Sequence, residues 1–539
     1  MLRASCIAIL ALAASCGDGS LAVANVTLPD IGQVFSTPSS IEQTIGSGFQ
    51  SCQNAVGRAF TGAVLPQLAV LSLEGYGNNG NYGMASRVGI PRTSITNATG
   101  TTADETYGAI AVGGRLAANA VTALDQLRSR GGTLGTVGQD LRARAFGFFA
   151  VGCHQGWLAL TYDSAGIVTP GLAGDFVPPL SGAASVIRSA IAMFDSAIAV
   201  ASNPAALGPS GFPLPALWTG NALTRDDFVR LVRSFRARFR AGVARTPAER
   251  AAVRWDSVLV DADNGITSDF MVTVGGTTGW QAAVLVNTNS TLFYQMSPMY
   301  YGMADVSRGY DAWLATPIGQ RGSFLIVTPD RRWPQGTTRA AQEAASLTPT
   351  SITSRPYVAS RPDPPGGDPW GVSQYELRRL QYLRANNGSG LFPAITKAEI
   401  DLLAAEGYLR TGNVAAAATR IDITRVGRGQ LPALSGIATS LSDTVPGGAS
   451  CVPRVPAAPA FTSTKCGTVF EALKWEKRME TAFTGFGQWF FDSRGWGDLV
   501  ENTALELPVP YQEIVARRQA FYSLGGGLAR SAPKGTYGF

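Results

Sequence analysis

Apolar residues recur along much of this chain with a helical period. In Asp226–Arg245, Phe228, Leu231, Val232, Phe235 and Phe239 fall at three- and four-residue intervals and so share one helix face. Arg230, Arg233, Arg236, Arg238, Arg240 and Arg245 occupy other positions of the same stretch and predict its solvated face, not a nucleic-acid surface. The Ala-rich stretch 106–128 and the runs Asp140–Leu160 and Ser185–Ala201 predict three more helices, with a Gly/Thr turn at 131–138. Residues 397–426 predict a helical hairpin. Ala398, Leu402, Ala405 and Leu409 lie on one face, Thr411-Gly412-Asn413 turns the chain, and Ala417, Ala418 and Ile421 belong to the returning helix. Small residues at such a crossing let helices approach closely, as in a tetratricopeptide unit. The segments 141–160, 185–201 and 226–263 would supply further units at irregular spacing. The expected fold is therefore mostly α, with tetratricopeptide-like helical hairpins and little β.

Three stretches break this period. Residues 75–104 are rich in Gly, Asn and Thr, 264–345 mix aromatics with Gly, Thr and Pro, and 346–371 are rich in Pro, Ser and Thr. They read as long ordered loops holding at most a short hairpin, and long loops on a rigid scaffold are where binding usually happens. The N-terminus has another pattern. Arg3 precedes a short apolar run, Ile7–Leu12, and the small residues Ala13, Ala14 and Ser15 then lead to Cys16. This is the shape of a secretory leader over 1–15 ending at a cysteine that is acylated, which would anchor the mature chain to a membrane without spanning it. No uncharged run further on is long enough for a transmembrane helix. Residues 16–539 are expected to form a single domain, with an N-terminal helical part (16–263) and a loop-rich and C-terminal helical part (264–539).

Composition narrows the classes. The chain has 539 residues, 45% hydrophobic and 15% charged, which is enough apolar material for a substantial core. The net charge of +6 is spread along the chain without a Lys/Arg block, so no nucleic-acid partner is expected. Export makes disulfides plausible. Cys451 and Cys466 bracket a short Pro/Ala/Ser/Thr-rich segment and form the favoured pair, while Cys52 and Cys153 are either a second pair or buried thiols. His154 is the only histidine, which argues against a His-based triad or zinc site, and neither a phosphate-binding loop nor a dinucleotide fingerprint is present. No metal, cofactor or catalytic residue is expected. A glycoside hydrolase needs only two carboxylates and stays open as a lesser alternative, beside a tetratricopeptide-like scaffold for protein partners.

Several segments, in order, resemble the SusD/RagB family. Val34-Phe35-Ser36-Thr37-Pro38 resembles its opening, and Tyr107–Ala120, with Asn119, its helix carrying an Ala-Asn pair. Leu141-Arg142-Ala143-Arg144-Ala145-Phe146, continuing to Leu160-Thr161-Tyr162, is similar to the segment that follows. Thr328-Pro329-Asp330-Arg331 is similar to its Asp-Pro-Arg signature, and Lys397–Val426 to its helix pair. Glu476-Lys477-Arg478-Met479-Glu480 through Trp489-Phe490-Phe491-Asp492-Ser493-Arg494 resembles its Glu/Arg-rich motif, and Leu507-Pro508-Val509-Pro510 its closing motif. Glu476, Arg478, Glu480 and Arg494 are expected to form buried ion pairs that lock helices, with Trp489 and Phe490 packed beneath.

The resemblance implies a non-enzymatic lipoprotein of the outer membrane, facing the cell exterior through a lipid on Cys16. It would bind an oligosaccharide or peptide and deliver it to a SusC-like TonB-dependent outer-membrane transporter, closing over the ligand like a lid. In glycan-binding members, aromatic faces meet sugar rings while amides bond the hydroxyls. On that expectation the first candidates are Tyr76, Asn78, Asn79, Asn81 and Tyr82 in a Gly-rich loop, although Asn and Gly there also suit a turn with positive φ. A second cluster contains Trp280, Tyr300, Tyr301 and Trp313, with Tyr294 and Tyr310 nearby; each alone reads at least as well as core. Trp370 is a weaker candidate, and Trp157 and Trp475 belong to helical patterns and the core.

Overall fold

Threonines begin many of the helices. In the computed structural model, Thr136, Thr224, Thr396 and Thr468 each accept a hydrogen bond from the backbone N–H three residues on. Asp140, Asp226 with Asp227, Glu399 and Glu471 lie in the first turns that follow, near the positive end of each helix dipole. The structure describes residues 34–57, 64–75, 87, 89–90, 92–99, 104–174, 176–281, 295–360, 373–526 and 535–539. The helices that organise it are α1 (Pro38–Val56), α2 (Leu65–Leu71), α3 (Asp104–Ser129), α4 (Val137–Thr161), α5 (Ala183–Ala201), α6 (Arg225–Gly242), α7 (Trp255–Asp263), α8 (Lys397–Arg410), α9 (Val414–Arg425), α10 (Val469–Thr481), α11 (Gln488–Trp496) and α12 (Tyr511–Ala516). The fold is mostly α, as the periodicity predicts, and α8 and α9 form the hairpin expected at 397–426.

Helix α4 is the hub. It packs against α1, α3, α5 and α6, and nearly all of its residues are buried. The Phe149 ring lies 5.1 Å from Phe49 of α1, 6.0 Å from Phe194 of α5 and 5.7 Å from both Phe228 and Phe235 of α6. Glycine makes these approaches possible. A Cβ on Gly147 would stand 2.3 Å from the Val121 side chain of α3, and one on Gly156 would stand 2.3 Å from the Phe239 ring. Helix α5 is long and apolar enough to cross a membrane, counting Arg188 and Asp195 within it, but here it packs Val186, Ala190, Phe194 and Ala197 inward.

The strands are short antiparallel pairs. β1 (Ile95–Thr96) pairs with β10 (Ser523–Leu524), β2 (Ser164–Gly166) with β3 (Leu180–Gly182), β5 (Val358–Ser360) with β6 (Tyr375–Leu377), and β8 (Arg454–Pro456) with β9 (Thr464–Cys466). The longest pair joins β4 (Phe270–Val274) to β7 (Gly390–Ile395), so the loop-like region contributes a strand to a distant partner and not a local hairpin. Cys451 and Cys466 are joined by a disulfide with 5.7 Å between their Cα atoms, while Cys52 and Cys153 are buried free thiols.

The α6 arginines are not the plain solvated face that the sequence suggests. Arg233, Arg236 and Arg240 converge on the buried carboxylate of Asp261 from α7. Arg238 is buried and makes a bidentate pair with Glu399 of α8, at 2.6 and 2.7 Å. Buried ion pairs also tie the C-terminal motif to the rest of the chain. Arg332 binds Asp330 and Glu476, Arg478 binds Asp498, and Glu480 receives Arg379 and Arg428. Arg494 departs from the expected pattern. It donates to the carbonyls of Gly242, Ala244 and Leu505, with no carboxylate partner among the described residues, and burial drives its pKa well below the usual guanidinium value. Trp489 and Phe490 pack inside this region, and the Trp489 Nε1–H donates to the Arg478 carbonyl.

Candidate functional site

Tyr76, Asn78, Asn79, Asn81 and Tyr82 lie outside the described residues, as do Tyr294, Trp370 and Cys16. The root of the Tyr76–Tyr82 loop is described. Helix α2 ends where the Ser72 hydroxyl donates to the Leu68 carbonyl, and Gly75 N–H donates back to Ala69. Glu74 is buried between them and accepts from Phe483 N–H at 2.6 Å. Burial pushes the Glu74 carboxyl up to about 8, against the lowering effect of that hydrogen bond, so at neutral pH it is mostly uncharged. Through this bond the loop root sits on the junction of α10 and α11.

The second aromatic cluster is in the core, and its rings are occupied by neighbours. Trp280 is 5% exposed and meets Phe49 edge-on at 5.7 Å. Its segment is held to α1 by Gln50 donating to the Thr278 carbonyl and Asn54 to that of Gly279. Tyr300 packs against Trp489 at 5.4 Å beneath the Arg478 guanidinium, and Tyr301 against Tyr375 at 5.0 Å. Trp313 is 4% exposed, with Arg321 stacked 4.3 Å from its ring centre. The Tyr301 hydroxyl donates to Phe324 O, and the Tyr310 hydroxyl to Met299 O at 2.7 Å. Two short helices, Pro298–Tyr301 and Gly309–Ala315, fold these side chains inward, so none of the four candidates presents a free ring face.

Two open concavities lie elsewhere, along α3. One, of 460 Å³, lies between the chain entering α1 (Phe35–Pro38), the second half of α3 and residues 171–174. Asn119, Thr122, Gln126 and Arg130 supply its polar groups, and Phe35, Leu127 and Leu172 its apolar ones. Thr122 fixes the far wall by accepting from Gly171 N–H at 2.7 Å. Another, of 360 Å³, lies between the first half of α3, α4 and α12. Both volumes fall within the ~300–1,000 Å³ range of small-molecule sites. Aromatic density does not mark either one. The available signal is the Gly/Pro-rich stretch 164–182 between two helices, together with Asn119, which the family resemblance names only as part of a motif. Among the described residues no group of three or more His, Cys, Asp or Glu could hold a metal ion.

No family model matches the sequence, and no curated protein is similar to it. Solved structures are similar. A SusD homologue from Parabacteroides distasonis superposes with a TM-score of 0.57 at 12% identity, covering 89% of this chain and 93% of that one. A SusD superfamily protein from Bacteroides vulgatus gives 0.51 at 11% identity, covering 86% and 89%. Surface glycan-binding protein A from Bacteroides uniformis gives 0.50 at 12% identity, covering 91% and 99%. Across nearly its whole length, this chain has the SusD-like fold.

Proposed function

We propose that this protein is a non-catalytic, lipid-anchored surface protein that captures oligosaccharides and delivers them to a partner TonB-dependent outer-membrane transporter. The observation that carries this reading is the extent of the fold likeness. It runs through nine-tenths of the chain and includes a protein named as a surface glycan-binding protein. The leader-like segment ending at Cys16 supports export and acylation. The Tyr76–Tyr82 loop, with its two aromatics and three amides, is the proposed ligand contact, and Glu74 seats its root on the C-terminal motif. The grooves along α3 combine apolar and amide groups, the chemistry a saccharide needs.

The test is calorimetry of the detergent-purified chain against oligosaccharide and peptide panels, beside a Tyr76→Ala/Tyr82→Ala variant. Saccharide binding that the variant abolishes is the expected result. Binding to peptides alone would replace the ligand class. Saccharide binding that survives in the variant would remove the loop from the site. Co-elution with the transporter in detergent is the corresponding test of the partner.

A further inference from the structure

Asn119 of α3 is 9% exposed, and its side chain makes no hydrogen bond with any described residue. Its amide is nevertheless reachable. It lines the 460 Å³ concavity, and neither amide atom is among the fully enclosed ones that lack a partner. A buried amide without a partner is unfavourable, and one that opens onto a concavity can be satisfied from there by a group that both donates and accepts. Gln126 and Arg130 follow seven and eleven residues on, so they share the Asn119 face and extend the lining along about 16 Å of α3. Their side chains also have no hydrogen-bond or ion-pair partner among the described residues.

The carboxylates nearby are already matched. Asp125 accepts from two Arg144 nitrogens at 2.8 and 3.2 Å, Asp140 pairs with Arg128, and Glu42 of α1 pairs with Arg142 at 2.7 Å. Arg130 is left without a carboxylate, and no Asp or Glu among the described residues lines the concavity. Phe35–Pro38 form another wall, where α1 begins with no acidic residue in its first turn, so the positive end of its dipole lies on that side. The wall at 171–174 is held in place. Gly171 turns the chain at φ +87°, its N–H donates to Thr122, and Arg115 donates to the Ala173 carbonyl at 3.4 Å. A cation would face Arg130 and the start of α1. A hydrocarbon would leave the amides unsatisfied. A bare inorganic anion would engage Arg130 but leave Asn119 and the apolar Ile41, Leu127 and Leu172 uncovered. The occupant that fits is elongated, with a carboxylate at one end, hydroxyls along its length and an apolar C–H face.

We propose that this concavity is a second binding site, for a short acidic saccharide, whose uronate carboxylate pairs with Arg130 while ring hydroxyls bond the Gln126 and Asn119 amides. The proposal rests on the reading of the protein as a saccharide binder. It adds a preference for charged rings, at a place separate from the Tyr76–Tyr82 loop.

The experiment is calorimetry of the detergent-purified full chain with digalacturonate and trigalacturonate, beside uncharged galactobiose and beside acetate and sulfate. At low salt the acids should bind about 5- to 10-fold more tightly than galactobiose, and high salt should shrink that advantage. Arg130→Gln, at an exposed position, should bring the acids down to the galactobiose level. Asn119→Leu, similar in volume, should weaken the acids about 5- to 10-fold and leave the melting temperature equal or higher, because that amide bonds nothing in the fold. Tyr76→Ala/Tyr82→Ala should keep the binding of the acids, so failure of the loop as an oligosaccharide site and failure of this concavity give different results. The proposal is overturned if no acid binds, if galactobiose binds as well as the acids, or if acetate or sulfate binds as tightly as they do. An acid preference that survives Arg130→Gln, a melting temperature lowered by Asn119→Leu, or acid binding lost only in the Tyr76/Tyr82 variant overturns it as well.

Discussion

Arg332 is the buried charge whose removal should be felt most. Its guanidinium is fully buried and makes bidentate contact with two carboxylates, Asp330 at 2.8 and 2.9 Å and Glu476 at 2.6 and 2.8 Å, with Glu480 at 3.3 Å. Glu480 has other cations. Burial opposes its charge, yet Arg379, Arg428 and Arg332 together hold its carboxyl below the ordinary range. Glu476 is less well served. Burial outweighs Arg332 there and leaves its pKa raised. In Arg332→Met, Asp330 would retain the Trp475 indole N–H and Glu476 the Thr424 hydroxyl, but neither would keep a bonded cation. Breaking a buried pair from one side costs about 3–5 kcal/mol. At ~2.1 cal/mol/K per residue, the 539-residue chain unfolding as one unit has an unfolding entropy of about 1.1 kcal/mol/K, so Tm should fall by about 3–4 °C. The stranded carboxyls would have folded pKa values above their unfolded ones, so the deficit should grow as pH rises from 5 to 8. Adding Asp330→Asn and Glu476→Gln should restore most of the loss, because the cost lies in uncompensated charge. Thermal and urea denaturation followed by circular dichroism measure all three species. A single variant within about 1 kcal/mol of the parent, or a triple variant no better than the single, would refute the reasoning.

Three further predictions use the same assays. Between pH 4.5 and about 8 the unfolded chain ionises Glu74 while the folded chain keeps it protonated. Its contribution therefore falls by about 1.4 kcal/mol per pH unit, and Glu74→Gln should gain on the parent as pH rises; parallel pH profiles would show a normally ionised carboxyl. Replacing Cys451 and Cys466 by Ser opens a loop of 15 residues' separation and should cost about 3 kcal/mol in the chain-entropy model, read from non-reducing urea midpoints. Trp313→Ala should destabilise by about 3–5 kcal/mol and leave the ligand affinity of the folded protein unchanged. Lost affinity at full stability would instead put that ring at the ligand.

The helices were legible because an amphipathic helix writes its period locally. The stretches 106–128, 140–160, 185–201 and 397–426 all correspond to helices of nearly those bounds. Which neighbour covers the polar face is written elsewhere in the chain. The arginines of α6 read as solvated because nothing near them says that Asp261 and Glu399 will arrive from α7 and α8. The Asp330 signature shows the same limit at shorter range. Arg331, the residue that completes the motif by adjacency, is exposed, and Arg332 is the one turned into the carboxylate cluster.

The second aromatic cluster is buried for a reason its local sequence does not carry, one that bears on where binding should be sought. A Tyr or Trp that stacks on protein and one that stacks on a sugar use the same apolar face and the same polar tip. Tyr300, Tyr301, Tyr310 and Trp313 could not be told apart from ligand contacts by type or by their Gly- and Pro-rich surroundings. What separates them is where the polar tip goes. The Tyr301 and Tyr310 hydroxyls donate to backbone carbonyls of their own neighbourhood, so those side chains have no donor left to offer a ligand.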